Sequence, residues 1–413
     1  MADQNTPSAQ QISQALNAAG PIVLAPGPRE RPTQVPPSPH DVWDLPNGTA
    51  WVYYGEGNHS LTRPVIIADG FNSGPSDVAM LWDGLDWRDY AFLSEIRRRG
   101  RDVIIVGFHE RSAAIQDNAQ AALAAIQRAT QEMSGDHTLA VGGFSMGGLV
   151  TRYALLKLER QRMDHRTGLY FSYDSPHRGA WIPIALQAFA HYTTDLDDRF
   201  SLQMNSPAAQ QLLWQHISHW QDTPGTSKLR TDFLDELDRM GNWPMRPQKI
   251  GVANGVGTGA GNGIQPGAKT FQGKGLAITG TNLFAQPQGD NQLVAQLRVV
   301  TLQKPEIRTS GLPDIDGAPG GTLEGFGILA DALNALPAYA GMASEALIRD
   351  HCFVPTASAV DLRDITTHDD LYTPVDSLPS QDSGLDAYKL ASRNEGHTLM
   401  TEELGSWIID QLP

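Results

Sequence analysis

The chain has few of the residues that a disulfide framework, a membrane span or a polyanion-binding surface requires. Cys352 is the only cysteine among 413 residues, so no intrachain disulfide can form. No apolar run is long enough to cross a bilayer, which predicts no integral membrane span. The 31 basic residues face 46 acidic ones, giving a net charge of −15, and no long basic run could neutralise phosphates. The negative net charge and the shortage of clustered basic residues argue against nucleic acid as a partner.

The first twenty residues also lack the features of an export signal. They have neither a basic start nor an apolar centre. We therefore expect a cytoplasmic location by default. Secretion is the alternative if an export signal has been removed from the sequence.

The order of the sequence patterns predicts a catalytic core with a large insertion. Residues 1–47 are expected to form a proline-rich N-terminal arm, because proline opposes regular helix and central strand. Residues 48–180 and 346–413 are expected to form the core. Residues 181–345 are expected to form a cap or insertion region that contains at least one core strand, at 249–253.

Short apolar runs alternate with helical patterns through the predicted core. The runs at 65–68 and 103–107 are typical of buried strands. Such alternation predicts an α/β fold with a mostly parallel, doubly wound sheet covered on both faces. Reactive groups gather at the carboxyl ends of parallel strands, and Asp69-Gly70-Phe71, Ser145 and Asp174 all follow predicted strands.

The most informative segment runs from a buried strand through Gly143-Phe144-Ser145-Met146-Gly147 into a helix. A serine on so sharp a strand-to-helix turn has its hydroxyl exposed, and the flanking glycines let the strand and the helix approach. Ser145 is therefore the predicted nucleophile. The alternative is a glycine-rich turn in which the serine only caps the helix.

A serine hydroxyl needs a neighbouring base, and histidine is the natural one. The chain order serine, acid, histidine favours a histidine close to the C-terminus. His397 fits, since it lies on a polar turn between a predicted last strand and the terminal helix. His351 and His368 are the rival candidates. His177 follows its strand too closely to be the distant base.

The acid that would orient the base is less strongly marked. Asp174 lies just past the sixth predicted strand, at the catalytic edge of the sheet. Asp386 is the alternative acid, but if a parallel strand follows it, this residue starts at the far edge, over ~15 Å from the site. Geometry thus favours Asp174, although an aspartate before Ser175-Pro176 could also simply cap a turn. Further candidates are Asp361, Asp364 and Asp369.

Acyl transfer also needs hydrogen-bond donors where the oxyanion develops. The backbone N–H of Met146 is one predicted donor, because it follows the nucleophile at a helix N-terminus. The second predicted donor is the N–H of Phe71, in the loop after the strand at 65–68.

Several of these segments resemble the α/β-hydrolase superfamily and, within it, lipase-like serine esterases. The resemblance is carried by Gly143-Phe144-Ser145-Met146-Gly147-Gly148, Asp69-Gly70, Ser175-Pro176-His177-Arg178-Gly179, His397 and a segment at 353–359. It implies hydrolysis of carboxylic esters, from small molecules or lipids, through an acyl-enzyme and without metal or organic cofactor.

Two positions depart from the pattern of that superfamily. Asp69 stands where a histidine is usual in the oxyanion loop, and no Asp-Gly pair precedes Val354-Pro355, so the usual acid position is empty. Three alternatives stay open on the same residues. They are acyl transfer to an acceptor other than water, thioester cleavage, and a catalytically inactive hydrolase-fold binding protein.

Overall fold

An eight-stranded sheet runs through the computed structural model, which describes residues 6–27 and 30–413. With strands numbered along the chain, the sheet consists of β1 (Asp41–Leu45), β2 (Gly48–Tyr53), β3 (Pro64–Ala68), β4 (Asp102–Phe108), β5 (Leu139–Phe144), β6 (Thr167–Tyr173), β7 (Gln248–Ala253) and β15 (Ala387–Leu390). Their spatial order is β1-β2-β4-β3-β5-β6-β7-β15. The β1–β2 and β2–β4 pairs are antiparallel and every other pair is parallel. The predicted mostly parallel sheet is confirmed.

Helices cover both faces of this sheet. They are α1 (Ala9–Ala18), α2 (Val78–Asp86), α3 (Phe92–Arg98), α4 (Ile115–Glu132), α5 (Met146–Arg160), α6 (Ile184–Tyr192), α7 (Arg199–Met204), α8 (Pro207–Leu212), α9 (Lys228–Met240), α10 (Gly325–Asn334), α11 (Thr356–Ala359), α12 (His368–Tyr372) and α13 (Glu402–Gln411). Buried side chains of α2, α3 and α13 share one apolar cluster, and those of α4 and α5 belong to another on the opposite face. The central strands β3 to β6 are buried almost throughout, as a sheet covered on two sides requires. Within the described part of the chain, no helix has both the length and the apolar character to cross a bilayer.

The glycine-rich stretch after β7 forms a second, antiparallel sheet. Its strands are β8 (Lys269–Gly273), β9 (Asn282–Phe284), β10 (Gln292–Gln296), β11 (Glu306–Thr309) and β13 (Ser344–Ala346). They are ordered β11-β10-β9-β8-β13. Three of these strands each have a fully buried side chain, namely Phe271, Leu283 and Ala295. This sheet therefore contributes to the core.

The remaining strands form a separate two-stranded ribbon, β12 (Gly320–Leu323) paired antiparallel with β14 (His351–Pro355). Strand β14 pairs with β12, and the chain next joins the main sheet at β15. The division into a core at 48–180 and 346–413 and a cap or insertion at 181–345 stays a prediction.

The N-terminal arm also contains more regular structure than its prolines suggest. Helix α1 begins with a capping box between Ser8 and Gln11, and Ile12 is fully buried. Strand β1 lies at the edge of the sheet. Most prolines of this arm lie between α1 and β1, outside both elements, so they do not interrupt the helix or the strand.

The turn from β5 into α5 allows unusually close backbone packing. A Cβ atom on Gly147 would lie 2.3 Å from the carbonyl oxygen of Ala68 in β3, and one on Gly143 would lie 2.5 Å from the Gly147 carbonyl carbon. Because both obstacles are backbone atoms, no side-chain movement could relieve the overlap. These two glycines therefore set how closely α5 approaches the sheet.

We expect Gly147→Ala to lower the free energy of unfolding by about 1–3 kcal/mol, since the added methyl must push α5 away from β3. Gly84→Ala is the matched control. Gly84 lies inside α2, and nothing stands within 4 Å of the place that an added methyl would occupy, so alanine there should be neutral or raise stability by up to ~1 kcal/mol. Urea unfolding of both variants measures the difference, and equal stabilities would contradict this account of the turn.

Candidate active site

Ser145 lies on the turn between β5 and α5 in a backbone conformation that few serines adopt. Its φ of 52° and ψ of −122° are strained for a residue with a Cβ atom. The Ser145 N–H donates to the Tyr173 carbonyl at 3.0 Å, which ties the turn to the end of β6. A strained serine on a sharp turn from a strand into a helix is the backbone geometry of a nucleophile elbow.

The structure brings Ser145, His397 and Asp174 into one chain of hydrogen bonds. His397 Nε2 lies 2.8 Å from Ser145 Oγ, and His397 Nδ1 lies 2.6 Å from Asp174 Oδ2. A carboxylate can only accept, so the bond to Asp174 requires a proton on Nδ1 and leaves Nε2 facing the serine hydroxyl. All three residues are at most 4% exposed, so water hardly competes for these bonds.

Residues that the sequence did not single out hold Asp174 and His397 in place. The Asn254 N–H donates to Asp174 Oδ1 at 3.0 Å, and the Asn254 side chain donates to the Leu399 carbonyl, just beyond His397. The His397 N–H donates to the Thr322 carbonyl on β12 at 2.7 Å. Asp174 and the loop that carries His397 are therefore both held by Asn254.

An aromatic ring completes the support of His397. The Phe353 ring, on β14, meets the imidazole edge-on with centroids 4.8 Å apart. The β12–β14 ribbon thus contacts the histidine through both its backbone and a side chain. An asparagine after a strand and a phenylalanine within an apolar run are common in many proteins. The contacts of Asn254 and Phe353 at the site therefore become visible only in the folded structure.

The alternative acid and the rival bases lie elsewhere. Asp386 stands at the start of β15, and its carboxylate contacts Lys249 Nζ at 3.0 Å and not His397. His351 is fully buried and bonds the neighbouring Cys352 carbonyl, while His368 pairs with Asp314 at 2.7 Å. In each case the structure assigns these residues to other interactions.

A second serine–histidine contact occurs below the site. Ser172 Oγ lies 3.1 Å from His177 Nε2, but the other ring nitrogen of His177 faces the guanidinium of Arg152 at 3.4 Å. Burial, together with the charges of Arg152 and Arg178, holds the pKa of His177 well below its usual value. A cation where a carboxylate would be needed makes His177 a poor base for Ser172.

The loop after β3 carries the predicted donor Phe71 and is braced by Asp69. The Asp69 carboxylate accepts from the Gly70 N–H and from Ser76 Oγ, both at 2.6 Å. Burial raises the pKa of Asp69, and the nearby Arg111 opposes that rise. The aspartate found where histidine is usual therefore stiffens this loop from within.

The other predicted donor, Met146, opens helix α5. The first N–H groups of a helix have no carbonyl one turn earlier to bind, so the Met146 amide is available to an anion. Gly70, next to Phe71, comes close to the elbow, since a Cβ on Gly70 would lie 3.4 Å from the Ser145 Cβ. The two candidate donor segments therefore lie on either side of Ser145.

Ser145 and His397 line a cavity of about 650 Å³. The apolar part of its lining comes mainly from β3, β4 and α2, with the side chains Ile67, Met80, Leu81, Leu85, Ile105 and Phe144. Further lining residues come from β12, α10 and the residues around His397. Ala25, Pro26 and Gly27 of the N-terminal arm complete the wall.

Three observations indicate the same fold. They are the strand order of the sheet, the elbow after β5 and the chain order serine, aspartate, histidine. The chain has the α/β-hydrolase fold. Neither a protein-family model nor a curated protein matches it.

Three solved structures with partial similarity are a lipase and two esterases. A Bacillus licheniformis lipase in its propeptide form is 18% identical, with a TM-score of 0.35 over 50% of this chain and 39% of the lipase. A Pyrobaculum calidifontis esterase is 12% identical, with a TM-score of 0.33 over 59% of this chain and 70% of the esterase. Carboxyl esterase 2 of Tuber melanosporum is 16% identical, with a TM-score of 0.32 over 61% and 79% of the two chains. Similarity this low does not identify a reaction.

A buried histidine in this hydrolase fold leads to a prediction about acid stability. Burial lowers the pKa of His351 to about 4, below the 6.5 expected in the unfolded chain. The folded state therefore favours the neutral ring. Its contribution is fully present above pH 6.5 and is lost as the pH falls from 6.5 towards 4, by at most about 3 kcal/mol.

We expect His351→Gln to reduce the loss of stability between pH 7 and pH 5, because glutamine does not titrate. Urea unfolding at the two pH values measures this loss. The matched control is His137→Gln, at a histidine that is exposed in the folded state as well, and it should keep the wild-type pH dependence. An unchanged pH dependence in His351→Gln would contradict the assignment.

Proposed function

We propose that the protein is a serine carboxylic ester hydrolase, an esterase or lipase, that acts through an acyl-enzyme. The observation that carries this proposal is the unbroken hydrogen-bonded chain from Asp174 through His397 to Ser145, at the wall of a cavity. In this proposal Ser145 is the nucleophile, His397 transfers the proton and Asp174 orients His397.

Acylation would begin when Ser145 Oγ attacks the ester carbonyl carbon and passes its proton to His397 Nε2. The imidazolium that forms is stabilised by the buried Asp174 carboxylate at Nδ1. His397 then gives the proton to the leaving alkoxide, the C–O bond breaks, and the alcohol departs. The acyl group remains on Ser145.

Deacylation would repeat these steps with water. His397 Nε2 takes a proton from water as the water oxygen attacks the acyl carbon, and it returns that proton to Ser145 Oγ as the carboxylic acid leaves. These steps need only side-chain and backbone groups of the chain.

The oxyanion of each tetrahedral intermediate would be stabilised by the Phe71 and Met146 amides. A single donor of this kind typically contributes about 3–4 kcal/mol to the barrier reduction. That contribution requires the loop that carries Phe71 to be preorganised. The hydrogen bonds that Asp69 accepts from Gly70 and Ser76 hold the loop in one conformation.

The cavity supports an ester of moderate size as substrate. Its apolar side, made by β3, β4 and α2, suits the hydrocarbon chain of an acyl group. We therefore propose small-molecule or lipid esters as the substrate class.

We expect Asp174→Asn to lower kcat for p-nitrophenyl esters by about 10⁴, because an amide at Nδ1 favours the wrong tautomer of His397. Ser145→Ala should leave no acyl-enzyme. Kinetics on a series from acetate to palmitate measure both effects and the preferred acyl length.

The control for the acid is Asp386→Asn, which removes the same charge at the opposite end of the sheet and should keep near wild-type kcat. Far-ultraviolet circular dichroism verifies that each variant is folded. Full activity in Asp174→Asn, or an equal loss in Asp386→Asn, would refute this choice of acid.

A further inference from the structure

Tyr173 lies where the three segments of the proposed triad meet. It is the last residue of β6, its side chain is fully buried, and Asp174 follows it directly in the chain. Its carbonyl oxygen accepts from the Ser145 N–H at 3.0 Å. The backbone of Tyr173 is therefore tied to the elbow through a hydrogen bond and to Asp174 through a peptide bond.

The hydroxyl of Tyr173 reaches the third segment, the His397 loop (residues 396–401). It donates to the Leu399 carbonyl at 2.7 Å and accepts from the Thr401 N–H at 3.3 Å. Thr401 is also the residue that caps the N-terminus of α13. One side chain thus connects β6 to both the end of the His397 loop and the start of the terminal helix.

The environment of this hydroxyl keeps it a donor. Burial raises the pKa of Tyr173 above its ordinary value, and the hydrogen bonds from Thr401 only partly oppose that rise. A neutral phenol has one proton to donate and lone pairs to accept with, so it can satisfy Leu399 and Thr401 together. The connection to the His397 loop is therefore kept across the neutral pH range.

The loop that Tyr173 holds is strained directly after the histidine. Thr398 has a φ of 61°, in the left-handed region that a β-branched residue rarely adopts. Such a conformation persists only where its surroundings enforce it. The His397 N–H is fixed to the Thr322 carbonyl before this residue, and the Leu399 carbonyl is fixed after it. Loosening the second attachment would let the strained turn relax and the imidazole change its direction.

A second donor shares the Leu399 carbonyl with Tyr173. The Asn254 side chain donates to the same oxygen at 3.0 Å from the end of β7. Strands β6 and β7 are neighbours in the main sheet. The two donors therefore set the position of the His397 loop relative to the sheet that also carries Ser145.

We propose that Tyr173 is a positioning residue for ester hydrolysis and acts on His397 through Leu399 and Thr401. The inference rests on the proposed function for the role of His397. The hydroxyl is engaged by the backbone of the His397 loop, so its loss should affect proton transfer more than the binding of substrate.

Tyr173→Phe removes the hydroxyl and keeps the aromatic ring. We expect kcat for p-nitrophenyl butyrate to fall about tenfold, because a less firmly held imidazole is in the reactive geometry less often. The KM should stay within about twofold of the wild-type value. Steady-state kinetics measure both constants. A wild-type kcat in folded Tyr173→Phe, or a rise in KM without a fall in kcat, would overturn the role of Tyr173.

Tyr192→Phe is the matched control. The Tyr192 hydroxyl is bound in the same way, since it donates to the Gln303 carbonyl and accepts from the Val299 N–H. These partners lie between β10 and β11, in the second sheet. Both variants should lower the urea midpoint by similar amounts, but Tyr192→Phe should keep the wild-type kcat. An equal fall in kcat in Tyr192→Phe would indicate a general effect of lost stability and would contradict a specific role of Tyr173.

Asn254→Leu tests the same attachment from the second donor. Leucine has nearly the shape of asparagine, and the backbone N–H that binds Asp174 remains. We expect a fall in kcat at unchanged KM. Combined with Tyr173→Phe, the fall should exceed the product of the two separate falls, because the Leu399 carbonyl then loses both side-chain donors. A combined fall equal to that product would overturn the action of Tyr173 through Leu399.

The proton between His397 and Asp174 separates this inference from the proposed function. In Ser145→Ala protein, the hydrogen-bonded Nδ1–H should give a far-downfield proton resonance, identified by its absence when His397→Gln is added. Adding Tyr173→Phe should broaden or remove this resonance, and adding Tyr192→Phe should keep it. If the wild-type protein cleaves no ester, ester hydrolysis fails while the resonance still decides on Tyr173. An unchanged resonance with Tyr173→Phe would refute the positioning role.

Discussion

The hydrogen bond between His397 and Asp174 is the interaction on which the rest of the site depends. It joins residues 223 positions apart at 2.6 Å, with both side chains inaccessible to solvent. With the carboxylate at Nδ1, the imidazole must present Nε2 to Ser145. Without it, neither the tautomer nor the direction of the ring would be fixed, and the strained serine would lack an oriented base.

The surroundings of this bond explain how it is held so firmly. Asp174 follows β6 and is fixed by the Asn254 N–H at the end of β7, while His397 rests on the β12–β14 ribbon. A Cβ on Gly321 of that ribbon would lie only 2.0 Å from Asp174 Oδ2, so the ribbon backbone reaches the carboxylate itself. The second, antiparallel sheet connects to this ribbon along the chain. Strand β12, within the region 181–345 that we expect to be a cap or insertion, therefore helps to build the site.

Much of the fold could be predicted from local patterns. Apolar runs such as Val103–Gly107 have the length of a buried parallel strand, and Gly143 to Gly147 can form only a very tight turn, so the sheet and the elbow were accessible from the sequence. The placement of His397 near Ser145 followed from chain order and from its position on a polar turn between the predicted last strand and the terminal helix. Asp174 could be chosen over Asp386 because the rise per residue of a strand is known. That rise places Asp386, at the start of the predicted last strand, at the edge of the sheet opposite to Ser145.

The remaining features depend on contacts between distant segments. Gly320–Leu323 and His351–Pro355 have no sequence pattern that predicts their pairing with each other. The support of Asp174 by Asn254 uses a backbone N–H, which any residue could supply.

Covalent labelling of the native protein tests the central claim most directly. A fluorophosphonate should phosphonylate Ser145 once per chain, as read by intact mass and peptide mapping, and acid-denatured protein should remain unlabelled. Ser172, paired with a histidine that faces a cation, should stay unmodified. No adduct on folded protein, or an adduct on Ser172, would contradict the account.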